Sequence, residues 1–232
     1  MREIPQQVAE SNGDRRPAAA VRRREALGLL LAAGSGSRYG SPKVLAHEGL
    51  WLRSAVEALL GGGCGHVLVV LGAAETPLPP GAEAVHAHRW ADGVGESLRA
   101  GLRAAADHAD ARCAVIHLVD LPDVGSDVVA RVLLAAADSP NGLARAFYGG
   151  RPGHPVVAAR RHWEPMAGAA AGETGAREYL RRHGEMPTRV QCEDLATGRD
   201  QDGPDRNAPP GEPPLPYSGR QVHAFDGIED SR

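Results

Sequence analysis

Cysteine is scarce in this chain of 232 residues: only three occur, Cys64, Cys113 and Cys192. They are scattered and show no C-x-x-C spacing, which argues against a disulfide framework and a zinc knuckle. Reduced thiols in a cytoplasm are the expectation. Long apolar runs are missing too. No stretch approaches the roughly 18 consecutive apolar residues of a membrane span, so no membrane partner is expected. The arginine clusters near the start, Arg15-Arg16 and Arg22-Arg23-Arg24, run into a short apolar segment that ends in glycines, which is not the shape of a cleavable signal. An excess of positive charge is also lacking. Lys and Arg number 26 against 29 Asp and Glu, a net charge of -3. Duplex binders concentrate a basic face, so this balance makes no electrostatic case for nucleic acid and points to a small substrate. No internal repeat is evident.

The rest is ordinary globular material, 42% hydrophobic and 24% charged, enough for one α/β domain with a sizeable core. Residues 1–26 lack apolar periodicity and read as a disordered leader; residues 206–232, rich in proline, read as a disordered tail. Between them, residues 29–33 form an apolar run bounded by Gly34, a buried parallel strand that ends in a glycine loop. Residues 51–60 place apolar side chains at helical spacing and stop at three glycines, Gly61, Gly62 and Gly63. Residues 66–72 read as a second buried strand, Val85 marks a short third, and a helix follows Gly93 and Gly95 to about His108. A strand at 114–119, a helix at 127–137, a hairpin and strand at 145–158 and a late edge strand at 190–195 complete the series. Strand, helix, strand order gives right-handed parallel units. The expected fold is therefore α/β, a Rossmann-like, mostly parallel central sheet flanked by helices in a single domain, residues 27–205.

The chemistry is densest just after the first strand. Gly34, Gly36 and Gly40 permit positive φ angles and close approach of backbone to a ligand, and Ser35 and Ser37 add donors. Arg38 and Lys43 place two cations beyond the loop, where they could neutralise phosphate oxygens. This is no Walker loop, since no Gly-Lys-Ser/Thr is present, and GSGSRYG fits the dinucleotide fingerprint only loosely. A tight turn with solvated basic residues is the competing reading.

Further positions have two readings each. Ser97 falls in a first helical turn, where free amides favour an anion, or it caps the helix. Asp120 ends the strand at 114–119 and precedes Leu121-Pro122; it is placed to hold Mg²⁺, or it caps a turn. Asp123 is either its helper or a helix N-cap. His154, between glycine and proline, reads as an exposed loop tip. Asp200 and Asp202 lie in a Gly/Pro loop, as ligands or as solvated turn residues.

LAAGSGSRYGSPK resembles the signature loop of nucleotidyltransferases related to molybdenum cofactor cytidylyltransferase and the MobA-like proteins, L-A-(A/G)-G-x-(S/G)-x-R-(M/F/Y)-G-x-x-K. Further blocks come in the family's order. Residues 90–102 match W-x-x-G-x-G-x-S-L-x-x-G-L, residues 118–122 match L-x-D-x-P, and residues 153–160 match G-H-P-V-x-x-x-R. Residues 172–180 resemble G-D-x-G-A-R-x-x-L with Glu173 for the aspartate. Residues 200–205 keep Asp200 and Asp202 of D-x-D-T-P-E-D but have Gly203 for threonine. Ala87 and His88 stand where the family often has Asn-Pro.

The resemblance implies the nucleotide-diphospho-sugar transferase version of the fold and transfer of a nucleotide to a phosphate-bearing acceptor, with Arg38, Lys43 and Asp120 catalytic. It implies nucleotide binding by Leu31, Ala32, Ala33, Gly34, Ser35, Gly36, Ser37, Arg38, Lys43, Gly95 and Ser97. Acceptor binding would fall to His154, Glu173 and Arg177, and Mg²⁺ to Asp120, Asp202 and Asp200. The Ala-Ala-Gly form resembles the members that use CTP. A molybdopterin acceptor follows from that, with a molybdoenzyme or its maturation factor as partner. Two rivals remain: an NAD(P)H-dependent reductase on the same scaffold, as in the nicotine blue oxidoreductases, and a silent nucleotide- or cofactor-binding protein.

Overall fold

The computed structural model describes residues 25–182 and 186–201. The tail, Asp202 and most of the leader fall outside them. The first strand, β1 (Ala26–Leu31), is buried along its whole length. It is followed by α1 (Ala46–Gly61), β2 (His66–Leu71), β3 (Ala82–His86), α2 (Val94–Asp107), β4 (Cys113–Leu118) and α3 (Ser126–Asp138). The second half adds the hairpin β5 (Leu143–Tyr148) and β6 (Arg151–Ala159), then α4 (Trp163–Ala169), α5 (Arg177–Arg182) and the edge strand β7 (Thr188–Gln191).

One seven-stranded sheet runs in the order β3-β2-β1-β4-β6-β5-β7. Pairing is parallel from β3 through β4, and β6 alone runs against its neighbours β4 and β5. The sheet is thus mostly parallel and flanked by helices, the expected class. Central strands that are covered on both sides must be apolar on both sides, and β1 shows it. Leu27, Leu29 and Leu31 belong to one apolar layer with Leu98 and Leu102 of α2 and Trp163 and Met166 of α4, while Leu30 belongs to the layer on the other face with Leu52, Val56 and Leu59 of α1.

Several boundaries differ from the sequence reading. The edge strand occupies Thr188–Gln191 rather than 190–195, because Cys192 already turns the chain, its carbonyl accepting from the amides of Leu195 and Ala196. His154 is not a loop tip. The hairpin turns earlier, at Gly149 and Gly150 (φ 56° and 79°), so His154 lies inside β6 and is half-buried. α4 had no counterpart in the sequence reading.

One core residue breaks the apolar rule. His117 of β4 is fully buried, and neither ring nitrogen has a hydrogen-bond partner among the described residues. Burial, and then the neighbouring His154, push its pKa down to about 3. An imidazole in the unfolded chain titrates near about 6.5. Below that pH the unfolded state takes up a proton that the folded state refuses, so stability falls as pH drops from 6.5 towards 3. His117→Leu removes this uptake and the two unmet nitrogens. The melting temperature of the variant is therefore expected to exceed that of the parent by a wider margin at pH 5 than at pH 8; equal margins would assign the acid sensitivity elsewhere.

Candidate functional site

Parallel pairing of β1 with β4 brings two chemical groups to one end of the sheet. Leu31 and Leu118 are register partners, and the Val119 amide donates to Leu31 O at 3.3 Å. The segments that leave the two strands are thereby placed side by side: the glycine loop after β1 and Asp120 after β4. In the loop, Gly36 has φ 64°, and a Cβ on it would stand 1.8 Å from Ser41 O, so no other residue fits without opening the turn. Its carbonyl accepts from the Gly40 amide at 2.8 Å. Tyr39 and His47 then lay their rings against Trp51 of α1, at 5.3 and 5.2 Å between centroids.

Lys43 leaves the loop and turns inward. Its Nζ lies 2.7 Å from Asp120 Oδ2, with only 14% and 18% of the two side chains exposed. Lys43 is also the only lysine in the chain; every other basic side chain apart from histidine is arginine. A compact ammonium can move between a carboxylate and a phosphate as a point charge, which the planar guanidinium fork does less readily.

Around this pair opens a cleft of about 410 Å³, within the range of small-molecule sites. It is bounded by residues 31–38, Lys43 and Asp120, by Trp90, Val94 and Ser97 at the start of α2, and by Glu173. Ser97 is buried there. Gly95 is not part of the lining. Its Cβ would meet the Ala171 backbone at 2.7 Å, so it serves as the seat on which residues 171–173 rest. Sequence reading missed Trp90 as a site residue, although Trp90 opens the W-x-x-G-x-G block. Gly72 makes room for it, since a Cβ there would lie 2.6 Å from the Trp90 side chain. A second cavity of about 420 Å³, lined by Gly63, Cys113, Leu133 and Ala159 among others, lies at the opposite end of the strands. Ligands in open α/β sheets gather at the carboxyl ends, which favours the Lys43–Asp120 cleft.

The late acidic loop comes back to this end. Asp123 Oδ2 accepts from Thr197 N (2.7 Å) and Thr197 Oγ1 (2.5 Å), and the Gln201 amide donates to Asp120 O at 3.0 Å. The backbone that follows Asp200 is thus held against Asp120, and Asp123 serves as the anchor of that loop. A metal fits this arrangement. Among the described residues Asp120 Oδ1 is buried without a partner, and no cluster of three His, Cys, Asp or Glu offers an all-protein cage. One or two carboxylates completed by substrate phosphates and water is the donor set of Mg²⁺.

The other candidates are distributed differently. His154 Nδ1 lies 3.3 Å from Ile116 O. Burial and then Arg145 lower its pKa to about 4 against the opposing pull of Ile116 O and Asp120, so the ring is neutral at pH 7. Arg177 opens α5 and is exposed. Arg160, at the end of the G-H-P block, is away from the cleft. Its guanidinium donates to the carbonyls of Ala106, His108 and Ala111 at the end of α2 and lies over the Trp163 ring, a structural role.

Residues 28–186 match the family model of the MobA-like NTP transferase domain. The chain belongs to this family. A curated relative, nicotine blue oxidoreductase of Paenarthrobacter nicotinovorans, is 36% identical over 191 residues, covering 75% of this chain and 91% of that protein. Among solved structures, Rv0371c of Mycobacterium tuberculosis superposes with TM-score 0.59 at 22% identity over 73% of this chain and 88% of its own. A manganese complex of Rv0371c gives 0.53 at 20%, over 72% and 86%. A nucleotidyl transferase from Methanothermobacter thermautotrophicus gives 0.58 at 19%, over 72% and 87%. These distant likenesses establish the fold of the MobA-like chain.

Asp123→Ala is expected to release the acidic loop. Hydrogen exchange should accelerate at least about tenfold across residues 195–201 while peptides from β1 and β4 keep their protection; unchanged exchange at Thr197 would show that the loop is held by other contacts.

Proposed function

We propose that this protein transfers a nucleotidyl group, CMP from CTP in the first instance, to a small phosphate-bearing acceptor and releases pyrophosphate. The observation that supports this most directly is the Lys43–Asp120 contact of 2.7 Å at the floor of the glycine-loop cleft. It puts a mobile cation and a carboxylate with one unmet oxygen within reach of a single triphosphate. An acceptor phosphate oxygen attacks the α-phosphorus; the bond from the α-phosphorus to the bridging oxygen breaks, and pyrophosphate leaves with that oxygen. Such chemistry is mostly positioning and charge stabilisation. The turn at Gly36 lets the backbone of residues 34–37 follow the phosphate chain, and Arg38 and Lys43 meet the charge of the leaving group. Lys43 is released from Asp120 as it moves to the phosphates.

Asp120, with Asp200 and Asp202, is the set that would hold a divalent cation, Mg²⁺ being the expected one. When bound, it supplies charge neutralisation on the triphosphate oxygens. The existence of a manganese complex of Rv0371c favours a divalent ion in general. His154, Glu173 and Arg177 are assigned to the acceptor side, for which molybdopterin is the specific candidate, with a molybdoenzyme or its maturation factor receiving the product. We assign the protein to the cytoplasm: its three cysteines are free thiols, and no described helix is long and apolar enough to cross a membrane.

The 36% identity to nicotine blue oxidoreductase favours a second reading, in which the cleft holds a nicotinamide dinucleotide. A screen of the four NTPs with candidate acceptors separates the two. Pyrophosphate release should require a divalent cation, vanish with chelator, and fall by about 100-fold or more in Asp120→Asn and Lys43→Met. Oxidation of NADPH with no pyrophosphate under any condition would replace the transferase by the reductase. Nucleotide binding with neither turnover would leave the silent binding protein.

A further inference from the structure

Two arginines leave the sheet face that packs against α4 and α5, and a third opens α5 itself. Arg145 and Arg189 are register partners across the parallel pair β5 and β7, so their side chains leave the same face. Phe147, two residues along β5, carries the Arg189 guanidinium over its ring, Cζ 4.3 Å from the centroid. Arg177 opens α5, whose Tyr179 and Leu180 share an apolar layer with Leu143 and Val156 of β5 and β6.

Arg145 is the half-buried member. Its single hydrogen bond among the described residues runs from Nε to Gly153 O at 2.9 Å, which leaves both terminal nitrogens of the fork uncommitted. Burial, followed by the nearby charge of Arg177, lowers its pKa. Among the described residues no carboxylate pairs with Arg145, Arg177 or Arg189; Glu178, the acid nearest in sequence to Arg177, is turned to Arg181 at 3.0 Å. Like charges beside a half-buried arginine that lacks a counterion are unfavourable. An oxyanion between them reverses the sign, and guanidinium forks match phosphate oxygens two at a time. The position suits a second substrate. Gly153, which holds Arg145, precedes His154, and the His154 ring lies within electrostatic reach of both Arg145 and Asp120.

We infer that Arg145, Arg177 and Arg189 form an oxyanion subsite for a phosphomonoester, separate from the triphosphate cleft, whose lining includes none of the three. The identity of that phosphomonoester as the acceptor rests on the transferase reading; the anion site itself does not. Sequence reading reached Arg177 alone, because Arg145 and Arg189 lie 44 residues apart and meet only through the β5–β7 pairing.

Calorimetric titration of the full chain with phenyl phosphate tests this, with CTP titrated in parallel. Arg177→Gln and Arg189→Gln alter exposed side chains and should keep the parental melting temperature. Arg177→Gln and Arg145→Gln are expected to weaken phenyl phosphate at least tenfold and Arg189→Gln about threefold, while CTP affinity stays within twofold. Arg145→Lys keeps the charge but loses the fork, and should fall between parent and Arg145→Gln even if the latter folds poorly. Parental phenyl phosphate affinity in Arg177→Gln and Arg189→Gln overturns the subsite, as does loss of that affinity in Lys43→Met alone or no binding by the parent. An absence of pyrophosphate release with this titration intact would remove the transferase reading and leave the anion site standing.

Discussion

The site depends on one pairing constraint: β1 and β4 are parallel neighbours in a register that sets Leu31 against Leu118. A parallel pair ends both strands at the same edge of the sheet, so the glycine loop and Asp120, about 80 residues apart in the chain, come within one ion pair of each other. An antiparallel arrangement of the same strands would send them to opposite ends. The ion pair then does local work. Both side chains are mostly covered, and a partly buried charge that loses its partner is strongly unfavourable. Lys43 and Asp120 therefore tie the loop to the strand end.

A second constraint acts from the side of α2. Gly93 and Gly95 have no side chains to keep residues 171 and 172 away, and a Cβ on either would run into that backbone at 2.5 to 2.7 Å. Arg99 strengthens the seat by donating to the carbonyls of Ala167 and Ala170. The result is that Glu173, on a segment far along the chain, forms one wall of a cleft whose opposite wall is the loop after β1. Backbone against backbone is a stiff contact, and it ties the wall at Glu173 to the helix start that carries Ser97.

Much of this was legible in the residues. A run of apolar side chains stopped by glycine identifies β1 and its loop, because few other arrangements bury such a run and then need positive φ. Asp120 was legible for a similar reason, as a carboxylate delivered by a buried strand. His154 was misplaced because glycine and proline on either side suggest a turn, whereas the turn had already been made by Gly149 and Gly150. α4 was hidden by its composition, seven residues that include a proline and a glycine and that are held as a helix by tertiary contacts through Trp163 and Met166. Arg160 matched its block, yet the structure commits it to three carbonyls at the far end of α2, a use that only the packed chain reveals.

The solitary lysine gives the molecule an unusual chemical profile. Acylating or carbamoylating agents that react with primary amines on side chains have a single target here, and it is the residue at the floor of the cleft. While Asp120 holds that amine as an ammonium ion it has no lone pair to attack with. Susceptibility to covalent modification is therefore tied to the open form of the ion pair, and any ligand that keeps the nitrogen protonated shields this side chain from such reagents.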